Sequence, residues 1–107
     1  MSLEHAFDLV YAPQVREHLK AIEPKYYALI RQEIEAQLQS EPEMETRNRK
    51  PLKRAITFGA QWEIRFGPNN RFRVFYEVDR DAGVVHILAI GVKIRNRLYV
   101  GGEEVEL

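Results

Sequence analysis

The chain has no cysteine, a single tryptophan, two methionines and no apolar run long enough to cross a bilayer. Without thiols, disulfides and thiolate-bound metals are excluded, and nothing points to an oxidising compartment. The longest apolar stretch, Val84 to Val92, is already interrupted by His86. The opening MSLEHAFDLV lacks the basic start and apolar run of a secretory signal, so a cytoplasmic protein away from membranes is expected. The six glycines gather into no phosphate loop, and GPNN at 67–70 reads as a turn. No nucleophilic serine motif and no His/Asp/Glu spacing of a metal site is present, so neither metal nor cofactor is expected.

Net charge is lacking too, with 16 Lys/Arg against 16 Asp/Glu, but its distribution is uneven. Residues 1–46 hold 4 Lys/Arg against 9 Asp/Glu, residues 47–97 hold 12 against 4, and residues 98–107 hold none against 3. Folding can mix such segments. It can also present the basic half as one surface to an anion.

What is there is a chain of 107 residues, the size of one domain with a modest core, taken as residues 1–107. Phe7–Tyr11 reads as a first strand. Pro13 suits the start of a helix carrying Val15, Leu19 and Ile22 on one stripe. Pro24 opens a second helix with Tyr27, Ile30, Ile34 and Leu38 buried, stopped by Ser40-Glu41-Pro42. Residues 41–54 form the most polar stretch and read as a solvated linker. Strands come next at Ile56–Phe66, Phe72–Asp79 and Val84–Ile90, the last closed by Gly91, and Gly101-Gly102 permits one more tight turn. The order β-α-α-β-β-β predicts an α+β domain, a two-helix hairpin packed on a mostly antiparallel sheet.

Alternation fixes the expected register. Trp62, Ile64 and Phe66 alternate with Gln61, Glu63 and Arg65, and Phe72, Val74, Tyr76 and Val78 alternate with Arg71, Arg73, Phe75 and Glu77. Antiparallel partners must show the same face, so Phe66 should oppose Phe72, Ile64 Val74 and Trp62 Tyr76. Arg65 then opposes Arg73 on a polar face, and like charges opposite one another destabilise. Either Glu63, diagonal to Arg73, neutralises the pair or an anion sits there. Lys93, Arg95 and Arg97 alternate on what reads as one extended segment continued by Tyr99. His86 reads as a packed sheet residue, and neither His5 nor His18 has a partner the sequence can reveal.

The element order, together with WEIRFG, RFRVFYEV and VVHILAIGVKIRNRLY, resembles the RelE/ParE superfamily, the toxin halves of type II toxin–antitoxin modules. The resemblance runs over roughly residues 6–100 and lies in order and spacing. Toxins like RelE enter the ribosomal A site and cut mRNA without a metal, the RNA 2′-hydroxyl attacking the scissile phosphate while basic side chains hold it. Carried over by position, this implies Arg73, Lys93 and Tyr99 as catalytic residues, Tyr99 as base or stacking ring. It leaves Arg65, Arg71, Arg95, Arg97, Lys50 and Lys53 as RNA-binding. Arg73→Ala is expected to remove toxicity and spare the fold. The chain departs from RelE at Gln61 and Glu63, where RelE has lysines, at Val92, and at Lys93, where an arginine is usual. ParE-type members keep the fold, lack nuclease residues and poison DNA gyrase. The resemblance implies a cognate antitoxin as partner, and then the ribosome with mRNA, or gyrase, as target. A domain that only binds its antitoxin is a third reading.

Overall fold

A computed structural model describes residues 6–53 and 58–106. Strand β1 (Asp8–Tyr11) leads into helix α1 (Val15–Lys20), a 3-10 turn at Pro24–Tyr26 and helix α2 (Tyr27–Leu38). Six strands come after: β2 (Arg49–Pro51), β3 (Trp62–Phe66), β4 (Phe72–Asp79), β5 (Val84–Ile94), β6 (Arg97–Val100) and β7 (Glu103–Val105). They pair in the order β2-β3-β4-β5-β6-β7, all antiparallel, while β1 joins β5 in parallel. Among the described residues no helix is long and apolar enough to cross a membrane.

The α+β architecture has the expected order, with β2, β6 and β7 added. The β3–β4 register is the expected one: Trp62 opposes Tyr76, Ile64 opposes Val74, Phe66 opposes Phe72, and Arg65 faces Arg73. Ile64, Phe66, Phe72, Val74 and Tyr76 bury one face against Val15, Ile30, Ile34 and Leu38. The opposite face departs from expectation. Phe75 is fully buried there with Ala60, Ala89, Leu98 and Val100, and Leu52 and Phe58 pack over them. A face read as polar from Arg71, Arg73 and Glu77 thus carries a second core, because chain remote in sequence folds over Phe75.

Other differences have local causes. The strand expected from Ile56 begins at Trp62, with Phe58 in a turn and residues 54–57 outside those described. Proline 24 opens a 3-10 turn, and the helix after it buries the expected Ile30, Ile34 and Leu38. Tyr27 points outward, its hydroxyl donating to the Leu19 carbonyl at 2.7 Å, and Tyr26, in i, i+4 register with Ile30, Ile34 and Leu38, takes the inner position against Phe72, ring centroids 5.0 Å apart. The polar stretch after α2 is strapped down. Buried Arg49 donates to the carbonyls of Met44 (3.0 Å) and Gln37 (2.8 Å), and the Tyr76 hydroxyl donates to Pro42 O at 2.6 Å. Burial pushes the Tyr76 phenol well above its ordinary range, so it stays a donor. His5 lies outside the described residues, and His86 is half-buried in β5.

Strand β5 organises the sheet. One edge pairs with β4 along its length, with a bulge at Leu88 where Phe75 faces Ala89 and Tyr76 faces Ile87. The other edge pairs with β1 over Val84–Ile87 and with β6 over Gly91–Ile94. The gap between those partners is closed from α1 and the residues leading into it. Ala12 N–H donates to Ile87 O (2.9 Å), Gln14 Nε2 donates to Leu88 O (3.2 Å), and Ile90 N–H donates to His18 Nδ1 (3.3 Å).

Gly91 does not end this strand, which runs on to Ile94. Its lack of a side chain serves close packing: a Cβ there would stand 2.9 Å from both Tyr99 O and Leu98 Cδ1. Gly91→Ala must push β6 outward. A loss of about 1–3 kcal/mol in urea unfolding is expected, and an unchanged midpoint would contradict this close approach.

Candidate functional site

A cavity of about 870 Å³ opens around the C-terminal half of β5. Five of the nine residues singled out from sequence line it: Arg71, Arg73, Lys93, Arg95 and Tyr99. Arg71 comes directly after the turn Pro68–Asn70, where Asn69 and Asn70 adopt positive φ (57° and 50°), a region asparagine tolerates. The Lys93 N–H donates to Arg71 O at 2.7 Å, tying the two cationic residues through the backbone. Arg95 and Asn96 form a two-residue hairpin link, both with positive φ (50° and 69°). A left-handed arginine costs conformational energy, and such strain gathers at functional loops. Tyr99 lies on β6 opposite Val92.

That hairpin overturns the expected single extended segment. Arg97 falls beyond the turn on β6 and pairs with Glu104 at 3.5 Å, off the cavity. Arg65, Lys50 and Lys53 also stay off it. Lys50 pairs with Glu45 at 3.3 Å and sits directly across from Glu63 in the sheet, and Lys53 is exposed.

Arg73 is not on an exposed face. It is 6% exposed, as is Glu63, and one carboxylate oxygen of Glu63 accepts from Arg73 Nη1 (3.2 Å) and from Arg65 Nε (2.9 Å). Arg73 Nε also donates to Asn70 O at 3.2 Å. The like-charge pair is therefore neutralised from within, by the carboxylate one step along the strand. Burial draws the Arg73 guanidinium below its ordinary range, the Glu63 charge opposes that shift, and Arg65 adds to it.

Among the wall residues that sequence reasoning missed are His18, Tyr26 and Asn69. Tyr26 could have been found by extending the i, i+4 stripe of Ile30, Ile34 and Leu38 back by one turn. Its hydroxyl accepts from Arg71 Nη1 (3.3 Å), and its ring lies beneath the guanidinium at 5.7 Å and near Lys25 Nζ at 5.2 Å. His18 is buried, edge-on to Phe58 at 5.8 Å, and burial holds its imidazole below the ordinary range. Cations, stacking rings and amide donors around one opening form a surface suited to a phosphate-bearing chain.

Two helices on one face of an antiparallel sheet, with this basic opening at the end of its central strand, define a small α+β domain of the toxin type. Residues 9–96 match the family described as ParE toxin of type II toxin-antitoxin system, parDE, and the chain belongs to that family, within the RelE/ParE superfamily. Among solved structures it is similar to a chain in the crystal structure of the toxin-antitoxin complex RelBE2 from Mycobacterium tuberculosis. The TM-score is 0.67 at 22% identity, over 83% of this chain and 93% of that one, a likeness that speaks for the fold. A search of curated proteins finds no match.

Arg73→Ala now carries a different expectation. It leaves the buried Glu63 carboxylate with Arg65 alone, and a loss of about 3–5 kcal/mol is expected in chemical denaturation. Joint replacement by Arg73→Met and Glu63→Leu should recover most of it. If Arg73→Ala melts like the parent, the pair does not hold this part of the sheet.

His18 sets a second expectation. Its folded-state pKa lies below the unfolded value, so the folded protein binds fewer protons and stability rises with pH. The contribution is complete above about pH 6.5 and is lost as pH falls below that. Between about pH 7.5 and 5.5 the parent should lose more melting temperature than His18→Asn, which has no titrating group there. Parallel losses would refute this.

Proposed function

We propose that this toxin is a single domain that acts on RNA at the basic cavity, as a metal-independent endoribonuclease that cuts mRNA on the ribosome and so halts translation. The observation that supports this is the gathering of Arg71, Lys93, Arg95 and Tyr99, with Arg73 in the wall, around one opening. The RNA 2′-oxygen attacks the adjacent phosphorus and loses its proton as the bond to the 5′-oxygen breaks. The 5′-oxygen leaves as a hydroxyl, and the other product ends in a 2′,3′-cyclic phosphate. Charge accumulates on the phosphoryl oxygens, and preplaced cations stabilise it. Arg71 offers a planar fork steadied over Tyr26, and Lys93 a compact point charge. Tyr99 serves as base or as a stacking ring. Arg73, committed to Glu63, positions the β4 side of the cavity.

A second reading is favoured by that same ion pair. Glu63 satisfies the strand arginine internally, as suits a ParE-like toxin that binds gyrase and cuts nothing. Primer extension on mRNA from a translation reaction separates the two. Cuts at ribosome-occupied codons, absent with Lys93→Gln at equal soluble level, are expected. Inhibition without cuts would refute the nuclease reading, and arrest of DNA supercoiling with translation intact would establish the gyrase one.

The partner proposed for the chain is a cognate antitoxin whose acidic, extended segment covers the basic half. Disordered segments gain affinity from wide, charged contact. Reversing exposed Arg95 and Arg97 to glutamate should weaken the complex and flatten its salt dependence. A salt-insensitive complex indifferent to the reversals would place the antitoxin elsewhere.

A further inference from the structure

We propose that His18 is a ligand-binding residue of the basic cavity, its Nε2–H acting as a neutral donor to a phosphate oxygen of single-stranded RNA; the inference rests on reading that cavity as an RNA site. Its Nδ1 accepts the Ile90 backbone N–H at 3.3 Å. A ring nitrogen that accepts from an amide carries no proton, so the proton of the neutral ring stands on Nε2. An amide cannot reverse its role, so the chain itself selects the tautomer.

The ring's position makes that proton useful. His18 lines the cavity, and its Cδ2, bonded to Nε2, lies on the side of Gly101, where a Cβ would stand 3.5 Å away. Phe58 meets the imidazole edge-on and fixes its plane. Nε2 has no hydrogen-bond partner among the described residues. Arg71, Lys93 and Arg95 supply charge to the same cavity, and Glu23 stands on its rim. A neutral donor adds a hydrogen bond to an anion without adding repulsion among those cations, and burial keeps the ring neutral. The device depends on the gap in the β5 edge: had β1 and β6 met, Ile90 N–H would pair with a carbonyl and leave Nδ1 unbound.

Two substitutions divide the ring's two roles. His18→Asn sets Oδ1 where Nδ1 stands, keeping the acceptor for Ile90 and deleting the donor. His18→Gln sets an amide nitrogen where Nε2 stands and gives up the acceptor. The probe is a six-nucleotide single-stranded RNA carrying 2′-O-methyl groups to block cleavage, titrated into the intact chain at low salt. Binding is monitored by imidazole and amide nitrogen NMR, with Lys93→Gln as the charge control. The parent is expected to show Nδ1 unprotonated and an Nε2–H signal that moves with RNA. His18→Asn should melt near the parent and bind roughly tenfold more weakly. His18→Gln should melt lower and retain more of the affinity. Unchanged affinity in His18→Asn, with Lys93→Gln weakened, overturns the role of His18 and leaves the RNA site standing. No binding by the parent brings down the cavity reading and this inference with it. If His18→Asn does not fold, a parental Nε2–H signal unmoved at saturation overturns the proposal.

Discussion

Everything in this molecule depends on satisfying the backbone of β5. It is 11 residues long, and its two partners on one edge arrive from opposite ends of the chain without meeting. Unpaired buried amides and carbonyls are costly, so the interval between β1 and β6 must be filled. It is filled by Ala12, Gln14 and His18, which dock α1 against the strand. The hydrogen bonds that complete the sheet thereby set the helix position, and the helix brings a histidine to the cavity wall. The Leu88 bulge offsets the two halves of the strand and separates the part that supports β1 from the part that supports the site.

A second constraint is the disposal of charge inside the sheet. Register places Arg65 opposite Arg73, and Glu63 resolves the conflict by accepting from both. Breaking a buried pair costs more than forming it gains, so this carboxylate ties β3 to β4 and withdraws one cation from solvent. The cations left to the cavity are Arg71, Lys93 and Arg95, all carried by turns or strand ends. Turns can alter without disturbing the core, which lets one fold serve toxins with different targets.

The zero net charge conceals this arrangement. Acidic α2 covers one face of the sheet, while the turn before β4 and the β5–β6 hairpin gather cations at one end. Ion pairs such as Arg97 with Glu104 and Lys50 with Glu45 quench much of the remaining basic half. The cavity stays basic because its cations have few carboxylates beside them, Glu23 being the acid on its rim.

Alternation of apolar and polar residues determined by itself the strand at 72–79, its register against Trp62–Phe66 and the meeting of Arg65 with Arg73, since a one-residue slip would turn every buried side chain outward. It did not determine where the earlier strand begins. Order and spacing also carried the resemblance that the family match bears out, and they selected Arg71, Arg73, Lys93, Arg95 and Tyr99 for what proved to be one cavity. Local pattern could not show that Phe75 lies in a second core, because its cover comes from Phe58 and Ala60, remote along the chain. Nor could it bend the chain at Arg95-Asn96, where two left-handed residues occur without the usual glycine. The partner of His18 lies 72 residues away, whereas the register already offers Glu63 as one of two ways to neutralise Arg73, and the structure shows it closing on that arginine. Periodicity reports which way a side chain faces, and only the assembled sheet decides what it meets there.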